Sequence, residues 1–179
     1  MPPSPIKIPH CLNRDGLTVR AIIETPAGSR AKLAFDPDSG LFSLGKLLPL
    51  GFAMPLDFGF IPSTCAGDGD PLDIMVLSEA ELPPGCMVTA RLLGAIEVEQ
   101  SERGPDGRLE RNDRLIARLS ESRSWSHVDR LEQLGDPFVA ELNRFFKVYK
   151  EARGQNYHVL AVSGPSRAAD LVTEWSADG

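Results

Sequence analysis

Residues 65–77 read CAGDGDPLDIMVL. Asp68, Asp70 and Asp73 fall within six positions and run straight into an apolar, strand-like segment. Carboxylates this close repel one another, and each raises the pKa of the others unless a cation sits among them. A tight turn accounts for any one of these acids, since Gly69 allows unusual φ, Pro71 fixes it and Asp bonds its own backbone. Three acids leading into a strand point instead to a place that holds metal ions. Two familiar loops fail the comparison. An EF-hand counted from Asp68 puts Glu79 at its last ligand position, but Asp73 stands where the sharp turn needs Gly, and strands replace the helices. A phosphatase-type Asp-x-Asp should follow an apolar strand, whereas PSTCAG precedes this one.

Outward from that stretch the chain is a series of short β-prone runs, at residues 18–25, 31–35, 72–77, 86–99, 113–119 and 157–162. The turn signals PAGS, DPDSG, AGDGDP, LPPG and GPDG separate them. No helical crossovers lie between these runs, so the pattern predicts a small twisted barrel or sandwich rather than a parallel sheet. Helices come late. In DPFVAELNRFFKVYKEARG, Asp136 is placed to cap a helix, Pro137 to open it and Gly154 to end it. Phe138, Leu142, Phe145, Phe146 and Tyr149 form its apolar stripe, and Ala168, Leu171, Val172 and Trp175 repeat the pattern near the end. The expected fold is mainly β (α+β), a small closed β-barrel with two C-terminal helices packed on it. It occupies one domain over residues 1–179, with residues 1–13 as a Pro-rich extended arm.

Composition narrows the function. The 19 basic and 25 acidic residues leave a net charge of -6, which argues against a phosphate-backbone binder and so against nucleic acid. A small polyanion can still be held where local cations overturn the global sign. Cys11, Cys65 and Cys86 form no CxxC, and His10, His127 and His158 form no HExxH, so neither a zinc knuckle nor a disulfide framework is expected. The opening MPPSPIKIPHCLN has no apolar core of a signal peptide, and no run approaches membrane-spanning length. The expectation is a cytoplasmic protein with reduced thiols and no membrane partner.

DFGFIPSTCAGDGDPLDIMVL, residues 57–77, closely resembles the signature of the soluble family I inorganic pyrophosphatases, D-G-D-P-x-D after a YGFIPxT-like segment. The resemblance extends to IIETPAGSRAKLAFDPDSG as an early strand pair, and to LPPGCMVTARLLGAIEVEQ as two further strands. RNDRLIARL resembles the family's D-x-K strand, and FFKVYKE its C-terminal helix. The resemblance implies an oligonucleotide-binding (OB)-type barrel that hydrolyses pyrophosphate to two phosphates with Mg²⁺, Mn²⁺ or another divalent ion, and that assembles as a homo-oligomer. By the same analogy Asp68 and Asp73 ligate metal, while Asp70 ligates it and orients or deprotonates the attacking water. Lys32, Lys46, Arg114, Lys150 and the Tyr149 hydroxyl hold phosphate oxygens, with Glu24 and Phe58 in support. Such a substrate needs charge neutralisation, an in-line water and a stabilised leaving phosphate, which hard cations and fixed basic groups supply.

The chain also departs from that pattern. Ala34, Gln100 and Asn112 stand where the family has acids, so three negative charges are missing from the inferred metal cluster. Asn112 still offers a carbonyl oxygen to a cation. Lys46 replaces an arginine, Arg114 a lysine, and Met54 and Phe58 replace tyrosines. The segment SERGPDGRLER, residues 101–111, reads as a hairpin carrying Glu102, Asp106 and Glu110. One of these acids, or Asp113, is a candidate to restore the lost charge, although strand alternation turns Asp113 away from the face of Asn112; the plainer alternative is a solvated hairpin. A non-catalytic relative that binds metal and phosphate is the alternative reading.

Overall fold

The computed structural model describes residues 3–101 and 107–177. Its strands are β1 (Thr18–Thr25), β2 (Ala31–Asp36), β3 (Leu41–Leu47), β4 (Asp57–Phe60), β5 (Asp73–Leu77), β6 (Met87–Gln100), β7 (Glu110–Arg111), β8 (Arg114–Leu119) and β9 (Tyr157–Ser163). Two α-helices follow the expected order, α1 (Asp136–Glu151) and α2 (Pro165–Glu174). The pairing runs from β1 to β4, β5, β8 and β6, and β6 pairs again with β1, so the ladder of five strands returns to its start. β9 continues the sheet on the far half of β6, and β2 with β3 forms a separate two-stranded hairpin.

Strand alternation divides the interior into two cores. Ile74 and Val76 face one cluster with Val19, Leu92 and Leu115, covered by Ala168, Leu171 and Val172 of α2. Met75 and Leu77 face the other, with Phe58 and Ile116, covered by Leu142 and Phe146 of α1. The two amphipathic helices therefore seal opposite sides of the same β layer, as their stripes predict.

Several expectations change. The segment expected to give two strands is one strand of 14 residues, β6, and it bends where its register with β8 slips between Leu92 and Gly94. A Cβ at Gly94 would lie 2.3 Å from the Ser163 carbonyl oxygen, so glycine lets β9 approach there. β5 and β8 pair in parallel, although no helix connects them, because the long excursion through β6 does so. β3 and β4 carry too little alternation to be read from sequence. β3 is mostly exposed, and the four residues of β4 are all buried around Gly59, where a Cβ would lie 1.9 Å from the Ile22 carbonyl oxygen. Asp136 is the first residue of α1 rather than its cap; Gly135, at φ 85, takes the cap position. Residues 5–7 of the Pro-rich arm form a 3-10 turn, and the arm is pinned. Ser63 N–H donates to Ile6 O at 2.7 Å, and Arg20 N–H to His10 O at 2.8 Å.

Glu79, the residue that an EF-hand count singles out, has a different task. Its carboxylate accepts from Arg123 N–H at 2.6 Å, Ser124 N–H at 3.2 Å and Ser122 Oγ at 2.8 Å, tying the end of β5 to a distant turn. These bonds, the one from Arg123 first, hold its pKa down to about 2. The charged form is therefore favoured in the folded chain. Its contribution is fully present above the ordinary glutamate range and is lost as pH falls from there through about 2. We expect Glu79→Ala to lower Tm at pH 7, with the gap to wild type narrowing as unfolding is followed from pH 5 down to pH 2. A constant gap across that range would exclude this role.

Candidate active site

The aspartate loop is shaped by the hydroxyl of Thr64, which donates to Ile61 O at 2.6 Å and accepts from Leu72 N–H at 2.8 Å. With Ile61 N–H bonded to Leu72 O at 2.9 Å, the chain between them is closed at its neck. Within the loop, Ala66 N–H bonds Asp70 O and Asp70 N–H bonds the Asp68 carboxylate at 3.1 Å. Gly69 takes φ 88, the left-handed turn that Gly allows. Gly67 lies flat on β7, where a Cβ would come within 3.0 Å of Arg111 O. Asp73 opens β5 and stands directly beside Arg114 in the parallel register.

Asp68, Asp70 and Asp73 all line one cavity of about 690 Å³. Lys32 and Lys46 enter it from the β2–β3 hairpin, Arg114 from the start of β8, Asn112 from the link between β7 and β8, and Lys150 from the last turn of α1. Lys32 and Lys46 are direct cross-strand partners. Like charges so placed destabilise a sheet unless an anion lies between them. Lys32 Nζ lies 4.6 Å from the centroid of the Phe58 ring, and Lys46 Nζ 6.0 Å from that of Tyr149. Thus Phe58 and Tyr149 lie behind the lysines, in the aromatic core, rather than on the cavity wall. Met54 is buried in the same core.

Glu24 is also set back. Its carboxylate accepts from Phe35 N–H at 2.8 Å, and burial pushes its pKa up to about 7, with Asp73 and Asp70 adding to the rise. Burial likewise raises Asp68 to about 6, and its fellow aspartates push the same way. Asp73 is raised by burial as well, opposed by Arg114, Lys32 and Lys150. Crowded, desolvated acids of this kind favour either protons or a bound cation. Their donors are all oxygens, which suits a hard divalent ion. Among the described residues no three carboxylate, imidazole or thiol groups draw close enough to cage an ion.

The neutral positions have distinct surroundings. Ala34 and Gln100 line the cavity, and Gln100 Oε1 accepts from Arg114 Nη2 at 3.0 Å. Asp113 faces away, as alternation requires. Its carboxylate takes bonds from Arg111 at 2.8 and 2.9 Å and from Val98 N–H at 3.1 Å. Glu102 and Asp106 lie outside the described residues. Glu110 does reach the cavity, opposite Gln100 in the β6–β7 ladder. Arg108 lines it too, and sequence reasoning missed this residue, because a lone arginine in a hairpin carries no periodic signal.

Known proteins share this architecture. The model of the family described as inorganic pyrophosphatase matches residues 21–178. The inorganic pyrophosphatase of Geobacillus stearothermophilus is 33% identical over 156 residues, covering 87% of this chain and 90% of that one. Soluble inorganic pyrophosphatase 3 of Arabidopsis thaliana is 30% identical over 165 residues, covering 90% of this chain and 71% of that one. In the crystal structure of inorganic pyrophosphatase from Thermus thermophilus the fold superposes with a TM-score of 0.86 at 30% identity, covering 98% of both chains. The OB-like β core with its two helices is thus a shared one, and the aspartate loop falls inside the matched region: this chain belongs to the family I inorganic pyrophosphatases.

Proposed function

We propose that the protein hydrolyses inorganic pyrophosphate to two phosphates, assisted by Mg²⁺ or a similar divalent ion. The observation that carries this reading is the cavity itself, where the opposed pair Lys32 and Lys46 shares one space with Asp68, Asp70 and Asp73. Cations that need an anion and acids that need a cation are both satisfied by a metal-bound polyphosphate. Bound Mg²⁺ would neutralise phosphate charge and make a nearby water easier to deprotonate.

The residues then divide the work. We assign Asp68, Asp70 and Asp73 to hold the metal together with its waters, and the Asn112 side chain offers a further carbonyl oxygen. Asp70, exposed at the mouth of the loop, is the group we assign to orient and deprotonate the attacking water. Lys32, Lys46, Arg114 and Lys150 bind phosphate oxygens and offset the charge that develops on the leaving group. Tyr149 and Phe58 support the lysines from behind, and Glu24, bonded to the β2 backbone, sets the field beneath the site. Arg108 adds a further cation at the wall.

Asp70→Asn should lower phosphate release from pyrophosphate by roughly 10²–10⁴-fold, the usual contribution of a general base. Equal release from wild type and variant, at high Mg²⁺ and alkaline pH, would favour the non-catalytic metal and phosphate binder instead. The neutral residues Ala34, Gln100 and Asn112 are what keep that second reading in view.

Glu110 supplies the acid that these positions lack, one strand over from Gln100. Glu110→Gln should weaken Mg²⁺ binding in a calorimetric titration by roughly tenfold or more, with Tm kept. An unchanged titration would return Glu110 to the role of a solvated hairpin residue.

We place the protein in the cytoplasm and infer that it self-associates. Among the described residues β9 pairs on one edge only, and it exposes Val159, Leu160 and Val162, an apolar edge strand of the kind that proteins cover. Sedimentation velocity at micromolar concentration should show an oligomer that Leu160→Lys weakens. A monomeric wild type would remove the inference.

A further inference from the structure

Arg114 is only 2% exposed, as is Gln100. The guanidinium lies 4.3 Å from the centroid of Phe146 and 5.7 Å from that of Tyr157, so aromatic faces hold its plane. Gln100 Oε1 accepts from its Nη2 at 3.0 Å, and the backbone carbonyl of Asn112 accepts from Nη1 at 3.4 Å. Arginine has donors only, so the Gln100 amide must present its oxygen to it. The Gln100 backbone is itself fixed from both sides, by Tyr157 of β9 and Glu110 of β7.

The Nε donor stands apart from these contacts. Among the described residues, Arg114 Nε is buried without a hydrogen-bond partner, and a carboxylate oxygen, Asp73 Oδ2, lies 3.7 Å away. That distance is an ion pair but too long for a hydrogen bond. A buried, charged N–H without an acceptor is costly, and Arg114 lines a cavity rich in other cations. An oxyanion is the ligand that meets this need.

We propose that Gln100 is a positioning residue for Arg114, a neutral clamp that aims the guanidinium at a phosphate oxygen without cancelling its charge. A carboxylate at this position would hold Arg114 equally well but would pair with it and reduce its pull on phosphate. An amide gives the direction and leaves the charge for the ligand. The identity of that ligand as phosphate rests on the pyrophosphatase reading; the clamp itself rests on the contacts above.

The test is calorimetric titration of the intact protein with inorganic phosphate in EDTA, and separately with Mg²⁺ alone. Gln100→Leu should weaken phosphate binding by about tenfold, the scale of one lost hydrogen bond to a charged group, while Mg²⁺ affinity stays within about twofold. Gln100→Glu, which keeps the acceptor and adds a charge, should also weaken phosphate, and it carries the test if the leucine variant fails to fold. In an Arg114→Gln background, Gln100→Leu should have no further effect on phosphate. Loss of Mg²⁺ affinity with phosphate binding intact would make Gln100 a metal ligand and overturn the proposal. So would unchanged phosphate binding in Gln100→Leu, or none in wild type. A wild type that binds phosphate in this way but hydrolyses no pyrophosphate counts against the proposed function alone, because the titration needs no turnover.

Discussion

The site depends on the parallel pairing of β5 with β8, which sets Asp73 beside Arg114 at matching strand ends. That one register joins the acid loop to the basic wall. β5 carries the end of the aspartate loop, and β8 begins with the residues that face it. Behind the pair, Ile74 with Leu115 and Met75 with Ile116 continue the ladder into both cores. A slip of one residue would turn every one of these side chains to the opposite face. The chemistry at the cavity is thus held in place by apolar packing well beneath it.

The β2–β3 hairpin contributes in another way. It stands outside the main sheet and presents Lys32 and Lys46 as direct partners. Aromatic rings of Phe58 and Tyr149 back the two ammonium groups, an arrangement that steadies cations without neutralising them. The same logic recurs at Arg114, which is stacked on Phe146 and held by a neutral amide. The basic side of the cavity is therefore supported mostly by groups that carry no charge. This leaves its positive field directed at whatever enters the cavity.

Much of this was legible in sequence. The acid loop, the long apolar strands and both helix stripes follow from residue type and spacing, and the motif of residues 57–77 identified the family. β3 and β4 were not legible, because one buries too little and the other alternates too little to give a period of two. The parallel pair was missed because strand order depends on where a chain returns, which no local pattern encodes. Glu24 and Phe58 were expected as supports, whereas Tyr149 was expected to contact substrate; none of the three is among the residues lining the cavity, a depth that spacing cannot show. Glu110 was one of several candidate acids in that segment, and its pairing with Gln100, which puts it at the cavity, is not encoded in any local pattern.

The root of β7 has a consequence for how such a site changes over generations. Arg111 is locked by Asp113 and Glu97 on one side, and Gly67 of the acid loop rests on its backbone on the other. Val98 is bonded to both Asn112 and Asp113, which anchors the same segment to β6. These anchors are made by residues outside the segment before Glu110, so changes of charge in that segment do not alter them directly. Selection can therefore revise the rim of the cavity, one acid or base at a time, without passing through variants that unravel the β core.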